Sequence, residues 1–465
     1  MMQTALMTNE HPQRALVAGL GQTGMSCVRY LRGRGYEVVV TDTREEPPAL
    51  PALRREYPEV RAHTGGLPPA LFDAADLVVV SPGLPLKEPV IARCIDAGKQ
   101  VLGDIELFAR EASAPIVAVT GSNGKSTVTT LVGMMCRAAG LDAAVGGNIG
   151  VPALSLLRDP EPDVYVLELS SFQLETTHRL NARAAALLNV SSDHMDRYGN
   201  VDAYAAAKRR VFQGNGVMVL NADDPLVLAM QREDRPCVCF GLQAPRSDRD
   251  YGIRRIGDED WLVHGARALM PCRAVRLPGR HNQANALAAT ALAEAMGVSL
   301  PAITRTLADF EGLPHRTQIV MEHDGVLWIN DSKATNVGAA TAALAGMDRP
   351  VVLIAGGQGK GADFRPLKSA VAEHARAVVL IGCDAPLFTE LLHGTVPVHR
   401  AADMRAAVAC AKRLARPGDT VLLSPACASL DMYDNFEHRG EVYAAAVREI
   451  NKDNATGEGA HRDDR

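Results

Sequence analysis

The run Thr120-Gly121-Ser122-Asn123-Gly124-Lys125-Ser126-Thr127 has the residue types and spacing to hold a triphosphate. It follows the apolar stretch Pro115 to Val119 and opens a helical pattern. Glycines let main-chain N–H groups approach phosphate oxygens, a helix N-terminus adds partial positive charge, and a lysine caps the outer phosphates. The hydroxyl after the lysine, Ser126, is placed for Mg²⁺. One spacing departs from a standard phosphate loop. Gly121 stands four residues before Lys125, and the position six before it is Val119. The loop is therefore tighter than usual, and the chain is read as binding ATP through Gly121, Asn123, Gly124, Lys125, Ser126 and Thr127.

A bound triphosphate needs a metal, and the metal needs oxygen or nitrogen donors near the γ-phosphate. Ser126, Glu168 and His194 are the candidates. Glu168 follows the strand-like run Val164 to Leu167, and His194 follows Ala184 to Val190 through Ser191-Ser192-Asp193. In open α/β sheets ligands gather at the carboxyl ends of strands. A lone histidine after a strand is more often a loop residue than a ligand; flanking Asp193 and Asp196 leave both readings open. Lys333 and Lys360 sit among small residues, Lys360 between two glycines, where ammonium and backbone together suit a carboxylate or phosphate. Lys208, beside Arg209 and Arg210 on an alanine-rich helical stretch, reads by its chemistry alone as a solvated lysine.

The elements that must position these groups alternate between strand and helix. Ala15 to Ala18, Glu37 to Val40 and Leu77 to Val80 are apolar strands, and Gly24 to Leu31 continues as a helix. Such alternation predicts a parallel sheet with helices on both faces. Gly19-Leu20-Gly21-Gln22-Thr23-Gly24, with Asp42 ending the second strand, fits a dinucleotide fingerprint and marks a nucleotide or phosphate site without saying which. Linkers fall near Glu111 to Pro115 and at Gly312-Leu313-Pro314. Beyond the second linker strands resume, and Val326 to Asn330, Val351 to Ala355, Val378 to Ile381 and Val421 to Leu423 each run into a polar loop. The expected fold is α/β in three domains. Residues 1–112 form a Rossmann-like N-terminal domain, 113–313 a central P-loop ATPase-like domain, and 314–465 a Rossmann-like C-terminal domain with a polar tail.

Composition narrows the partners. Apolar residues make up 47% and charged residues 22%, as in an ordinary globular protein, and a net charge of −5 gives no electrostatic case for nucleic acid or membrane. The nine cysteines are scattered without a C-x-x-C pair, which fits a reducing cytoplasm. No apolar run approaches the ~20 residues a membrane span needs. Met1 to Arg14 lacks the pattern of a secretory signal, and Asn451 to Arg465 reads as a frayed tail. Three anion-friendly domains with ATP and no hydride-transfer signature point to ligation or phosphoryl transfer.

Taken together, the motifs resemble the Mur ligases, the ATP-dependent amide-forming enzymes of peptidoglycan precursor synthesis, from about Ala15 to about Asn451. The resemblance rests on the phosphate loop, Glu168 to Leu174, Asn189 to Arg197, Gly279 to Asn285 and Leu313 to Arg316. In the third domain Asn330 to Asn336, Leu423 to Asp431 and Asn435-Phe436-Glu437 are similar to the D-glutamate-adding branch. Members adding diaminopimelate or lysine would be expected to carry Asp-Tyr-Ala-His in place of Asp-Ser-Lys-Ala. The resemblance implies that UDP-N-acetylmuramoyl-L-alanine and D-glutamate are joined through an acyl phosphate. It implies a UDP-sugar site of Gly21, Thr23, Asp42, Thr43, Ser81, Asn148 and Ser170, and ATP contacts from Asn282, Asn285, Arg316 and Asp331. D-glutamate would be held by Lys333, Thr335, Lys360, Ser429 and Phe436. Two Mg²⁺ ions would be held by Ser126, Glu168, His194 and a carbamylated Lys208. Lys125, His194, Lys208 and Lys333 would be catalytic, with either His194 or the carbamate taking the amine proton. A cytoplasmic monomer is expected. Ser191-Ser192 departs from the family's Thr-Glu and is expected to change loop packing rather than chemistry. Two other readings stay open, a sister or folate-polyglutamating ligase and a non-catalytic nucleotide sensor.

Overall fold

A computed structural model of the chain describes residues 13–359 and 361–452. Lys360, the first twelve residues and the tail beyond 452 lie outside the described residues, and so do the expectations placed on them. Strands of near-continuous Val, Ile, Leu and Ala, buried on both faces, form three separate sheets, as parallel strands covered by helices must.

The first sheet is wholly parallel. Its order is Arg61–Thr64, Glu37–Asp42, Arg14–Ala18, Leu77–Val80, Gln100–Leu102. The direction of winding reverses between Arg14–Ala18 and Leu77–Val80, so the loops after Ala18, Asp42 and Val80 open into one crevice. The central sheet has nine strands. Six run parallel in the order Cys237–Phe240, Val217–Asn221, Ala184–Leu187, Ile116–Thr120, Val164–Glu168, Ala143–Gly147. A meander of Tyr251–Ile256, Glu259–His264 and Arg267–Pro271 extends the Cys237 edge, and its internal pairings are antiparallel. The third sheet runs Gln318–His323, Val326–Asn330, Thr420–Leu423, Val351–Gly356, Ala375–Ile381, Val398–Arg400, antiparallel only at the first pair.

Helices Lys125–Ala138 and Arg280–Ala295 pack against each other over the central sheet. The second is alanine-rich, so its backbone lies close to its neighbours, and Asn282 and Asn285, three residues apart, share one buried face. Helix Asp104–Glu111 straps the first unit to the central one. The buried Glu106 carboxylate accepts the His178 and Arg179 N–H groups at 2.7 and 2.9 Å, and Gln173 Nε2 donates to Asp104 at 2.9 Å. Among the described residues no helix is long and apolar enough to cross a membrane.

Candidate functional site

The central strand Ile116–Thr120 ends in the glycine-rich loop, and Gly124, at φ +83°, turns the chain into helix Lys125–Ala138. A Cβ at Gly124 would stand 2.4 Å from Asn285 Oδ1, so both the turn and the close approach demand glycine. Asn189 Oδ1 accepts the Asn123 N–H at 2.8 Å and its carbonyl accepts the Ser122 N–H at 2.9 Å, pinning the loop. Lys125 Nζ folds back over the loop and donates to the carbonyls of Gly121 and Ser122 at 2.9 and 3.0 Å. Burial lowers its pKa from the ordinary lysine range.

Three elements converge beside that lysine. Ser126 Oγ donates to Glu168 Oε2 at 2.6 Å, Asn148 Nδ2 donates to Glu168 Oε1 at 2.6 Å, and Arg316 Nη2 donates to Ser126 Oγ at 2.7 Å. A hydroxyl and a carboxylate in contact, both oxygen donors, suit a hard cation. Among the described residues no group of three or more His, Cys, Asp or Glu side chains forms a cage. His194 lies on the loop beyond Ala184–Leu187 with a left-handed backbone, φ +56°. Its ring meets Phe172 edge-on at 4.7 Å and its Nε2 is 3.8 Å from Asp193.

The solvated reading of Lys208 does not hold. The residue is 1% exposed, its Nζ donates to the Gly121 carbonyl at 2.8 Å, and it lies 4.5 Å from the centre of the Tyr204 ring. Burial first, and the neighbouring Lys125 charge second, hold its pKa well below that of an ordinary lysine. The charges beside Lys208 on its own helix hid this from the sequence, because the inward face of Val201–Arg209 carries Tyr204, Ala207 and Lys208 together.

Three cavities meet at these groups. One of about 380 Å³ lies between the central unit and the third, with Asn123, Thr127, Asn282, Asn285, Arg316 and Asp331 in its wall. Asn285 Nδ2 donates to Asn282 Oδ1 at 3.1 Å. Asp331 accepts from the Thr317 N–H at 3.1 Å and Ser424 Oγ at 2.8 Å, and burial raises its pKa to about 7. A second cavity, about 920 Å³, includes Glu168, His194, Arg316, Lys333, Thr335 and Phe436. Lys333 Nζ stands 3.6 Å from the Phe436 ring centre, a cation–π contact, and burial followed by Arg316 lowers its pKa to about 8. Ser429 is buried behind this wall, where Ala428 is the lining residue.

The third cavity, about 460 Å³, opens on the first sheet and includes Gly21, Thr23, Asp42, Thr43, Ser81 and Asn148. Asn148 and Gly150 also border the large cavity, so the two cavities share a wall. Asp42 accepts the Leu20 N–H at 2.6 Å and a bidentate pair from Arg44 at 2.8 and 2.7 Å. Burial alone would raise its pKa, but these hydrogen bonds win and hold it at about 2. Asp42 thus organises the crevice, and Arg44 is the cation that lines it. The sequence reading missed Arg44; its only signal was that a buried acid ending a strand needs a nearby partner. Ser170 caps helix Ser171–Glu175 in a reciprocal capping box with Gln173, and it is Gln173 that reaches the cavity wall.

Three α/β units closing over one phosphate loop, each adding a cavity, define a nucleotide-dependent enzyme that handles two further substrates. Comparison gives the family. The chain matches the Mur ligase middle domain over residues 119–293, the Mur ligase MurD-like N-terminal domain over 13–103 and the Mur ligase glutamate ligase domain over 315–427. It is 50% identical over 451 residues to a UDP-N-acetylmuramoylalanine--D-glutamate ligase of Nitrosococcus oceani, covering 96% of this chain and 99% of that one. It is 52% identical over 436 residues to the ligase of the same name from Pseudomonas syringae pv. syringae, covering 93% and 97%. Among solved structures its fold is similar to UDP-N-acetylmuramate-alanine ligase of Thermotoga maritima, with a TM-score of 0.58 at 17% identity over 95% of this chain and 100% of the other. The chain belongs to the Mur ligase family.

Proposed function

We infer that this protein is an ATP-dependent ligase that joins D-glutamate to UDP-N-acetylmuramoyl-L-alanine in peptidoglycan precursor synthesis. The observation that carries the reading is the meeting of the Ser126–Glu168 pair, the Lys125 loop and Arg316 on the wall of the 920 Å³ cavity, which shares Arg316 with one neighbouring cavity and Asn148 with the other. Full-length identity near 50% to D-glutamate ligases supports the choice of amino acid. In this reading residues 1–112 hold the sugar nucleotide, 113–313 hold ATP, and 314–465 hold the amino acid.

A free carboxylate is a poor electrophile because its charge repels an incoming amine. The alanyl carboxylate of the UDP-sugar, reaching past Asn148, attacks the γ-phosphorus of ATP, and the bond to the β,γ-bridging oxygen breaks to release ADP. Lys125 and Arg316 spread the charge on the transferring phosphoryl group. The amine of D-glutamate then attacks the acyl phosphate, its proton passing to His194 or to a carbamate on Lys208. The tetrahedral intermediate collapses to amide and orthophosphate. Ser126 and Glu168 would hold one Mg²⁺, and His194 with carbamylated Lys208 a second; bound there, the ions neutralise phosphate charge. Gly21, Thr23, Thr43 and Ser81 hold the uridine diphosphate end, with Asp42 setting their loop and Ser170 shaping the neighbouring turn. Asn282 and Asn285 face the adenine, and Asp331 backs Arg316. Lys333, Thr335 and Phe436, with Ser429 behind them, grip the D-glutamate carboxylates, together with Lys360, which lies outside the described residues. The enzyme is read as a monomer acting in the cytoplasm, and its scattered free thiols support that compartment.

The test is orthophosphate release from ATP, Mg²⁺ and UDP-N-acetylmuramoyl-L-alanine with D- or L-glutamate. Release with the D form alone is expected; equal release with both, or none with either, overturns the reading. Lys333 adds a pH signature. It is charged below its pKa of about 8 and neutral above it. The KM for D-glutamate is expected to stay level below that pH and climb roughly tenfold per unit above it. Lys333→Arg should keep the KM level to higher pH. A wild-type KM unchanged to pH ~9.5 would show that this ammonium does not hold the amino acid.

A further inference from the structure

One side-chain amide of the third unit touches both catalytic loops of the central one. Asn336 precedes helix Val337–Ala345, and its Oδ1 accepts the Ala339 N–H at 2.8 Å, an ordinary N-cap. Its Nδ2 is turned outward. That nitrogen lies 3.1 Å from Asp193 Oδ2 and 3.3 Å from Asn123 Oδ1, donating toward both. Asn123 belongs to the phosphate loop, and Asp193 adjoins His194 in sequence and in space. The neighbouring contact is equally close. A Cβ on Gly338 would stand 2.7 Å from Ser191 Oγ and 3.0 Å from Ser191 Cβ. Ser191 is in turn laced to the phosphate loop, its N–H donating to Ser122 Oγ at 3.0 Å and its carbonyl accepting from that hydroxyl at 3.1 Å.

We propose that Asn336 is a positioning residue for the ligation: its amide ties the amino-acid unit to the phosphate loop and to the His194 loop at once. The inference rests on the ligase reading above. Its oxygen serves the helix and its NH₂ serves the interface, so the two roles can be separated by chemistry. Aspartate caps a helix as well as asparagine does, but it cannot donate. Asn336→Asp therefore keeps the cap and sets a second carboxylate against Asp193. Gly338 contributes by lacking a side chain, which lets the first turn of the helix reach Ser191.

The experiment measures kcat, the KM of each substrate and Tm for Asn336→Asp in wild-type and Asp193→Asn backgrounds. In the wild-type background kcat is expected to fall roughly 30-fold, with the KM for ATP and UDP-sugar within about twofold and Tm held, since like charges brought together cost far more than a lost contact. In the Asp193→Asn background the same change is expected to cost less than about threefold relative to Asp193→Asn alone, because the pair has exchanged donor and acceptor. Gly338→Ala is expected to keep or raise Tm, as alanine favours helix, while lowering kcat roughly tenfold. A residue that only capped its helix would leave Asn336→Asp at wild-type kcat, and that result overturns the proposal. An equal loss in both backgrounds overturns it as well. Failure of the ligase reading looks different, since the unmodified protein would then release no phosphate.

Discussion

Lys208→Ala is expected to lower ligation by about a thousandfold or more, the scale set when charge stabilisation at a phosphoryl-transfer site is removed. Millimolar short-chain carboxylic acids should restore part of the rate. The reason lies in the state of the wild-type side chain. A lysine 1% exposed, beside the Lys125 ammonium, holds its pKa well below the ordinary value and spends time as a neutral amine. The neutral amine is the form that adds to CO₂. In the proposed reading the product would be a carbamate, replacing a poorly tolerated cation with an anion able to pair with Lys125 and a metal. Truncation to alanine leaves room for a free carboxylate to stand in the same place. Lys208→Met separates folding from chemistry: it keeps the volume and deletes the desolvated amine, so Tm should hold while activity stays lost. Wild-type rates in Lys208→Ala without additive, or a loss that no carboxylate relieves, would remove the carbamate from the mechanism.

Lys208 also marks the boundary of what the residues alone disclose. Strands were legible where an apolar run ended in a ligand-bearing turn of glycine or small polar residues, as at Ile116–Thr120 and Val351–Gly356, while Val217–Asn221 and Cys237–Phe240, which lead into no such motif, were passed over. The phosphate loop was legible because its demands are local. The Tyr251–Pro271 meander was not read at all, since charged pairs such as Arg254-Arg255 and Glu259-Asp260 break up its apolar signal and its strands carry none of the ligand-bearing turns. Burial of Lys208 depends on which helix face meets the loop, and its exposed neighbour Arg209 points the other way. Asp42 shows the same limit from the opposite side. Its place at a strand end was evident, but the use of its carboxylate by the Leu20 N–H is a matter of tertiary approach, and that contact fixes the carboxylate which Arg44, two residues on, then grips. Ser191 lies close against Gly338, from another unit, a contact that nothing in the sequence announced.

The three units are not joined alike. The first is held to the central one by buried carboxylates, Glu106 on two backbone N–H groups and Asp104 on Gln173, which favour a fixed arrangement. The third meets the central unit at the active site itself, through Arg316 and Asn336. Under the proposed function, a first unit that stays assembled on the central one, and a third whose contacts would also be catalytic contacts, suit a reaction in which the second nucleophile must be admitted only after the first step is ready.

Arg316 is where that arrangement should be most costly to disturb. Arg316→Ala is expected to lower kcat by about a thousandfold, in the range seen when an arginine supplied to a phosphoryl-transfer site is removed. The guanidinium comes from the third unit and donates to Ser126 Oγ at 2.7 Å, one bond from Glu168. Burial, its largest perturbation, lowers its pKa, and the Glu168 and Asp331 charges oppose that shift. Few other side chains stay cationic in such a site, because a buried lysine loses its proton far more readily. Arg316→Lys should accordingly recover little of the rate, since a point charge cannot reach two oxygens at once. The KM for ATP should change much less than kcat, because the adenine contacts proposed for Asn282 and Asn285 would persist while charge stabilisation is lost. Free guanidinium at tens of millimolar should restore a measurable fraction of Arg316→Ala activity and none of the Lys125→Ala activity. A lysine variant at full rate, or an alanine variant within tenfold of wild type, would place the decisive charge elsewhere and reduce Arg316 to a strut between the two units.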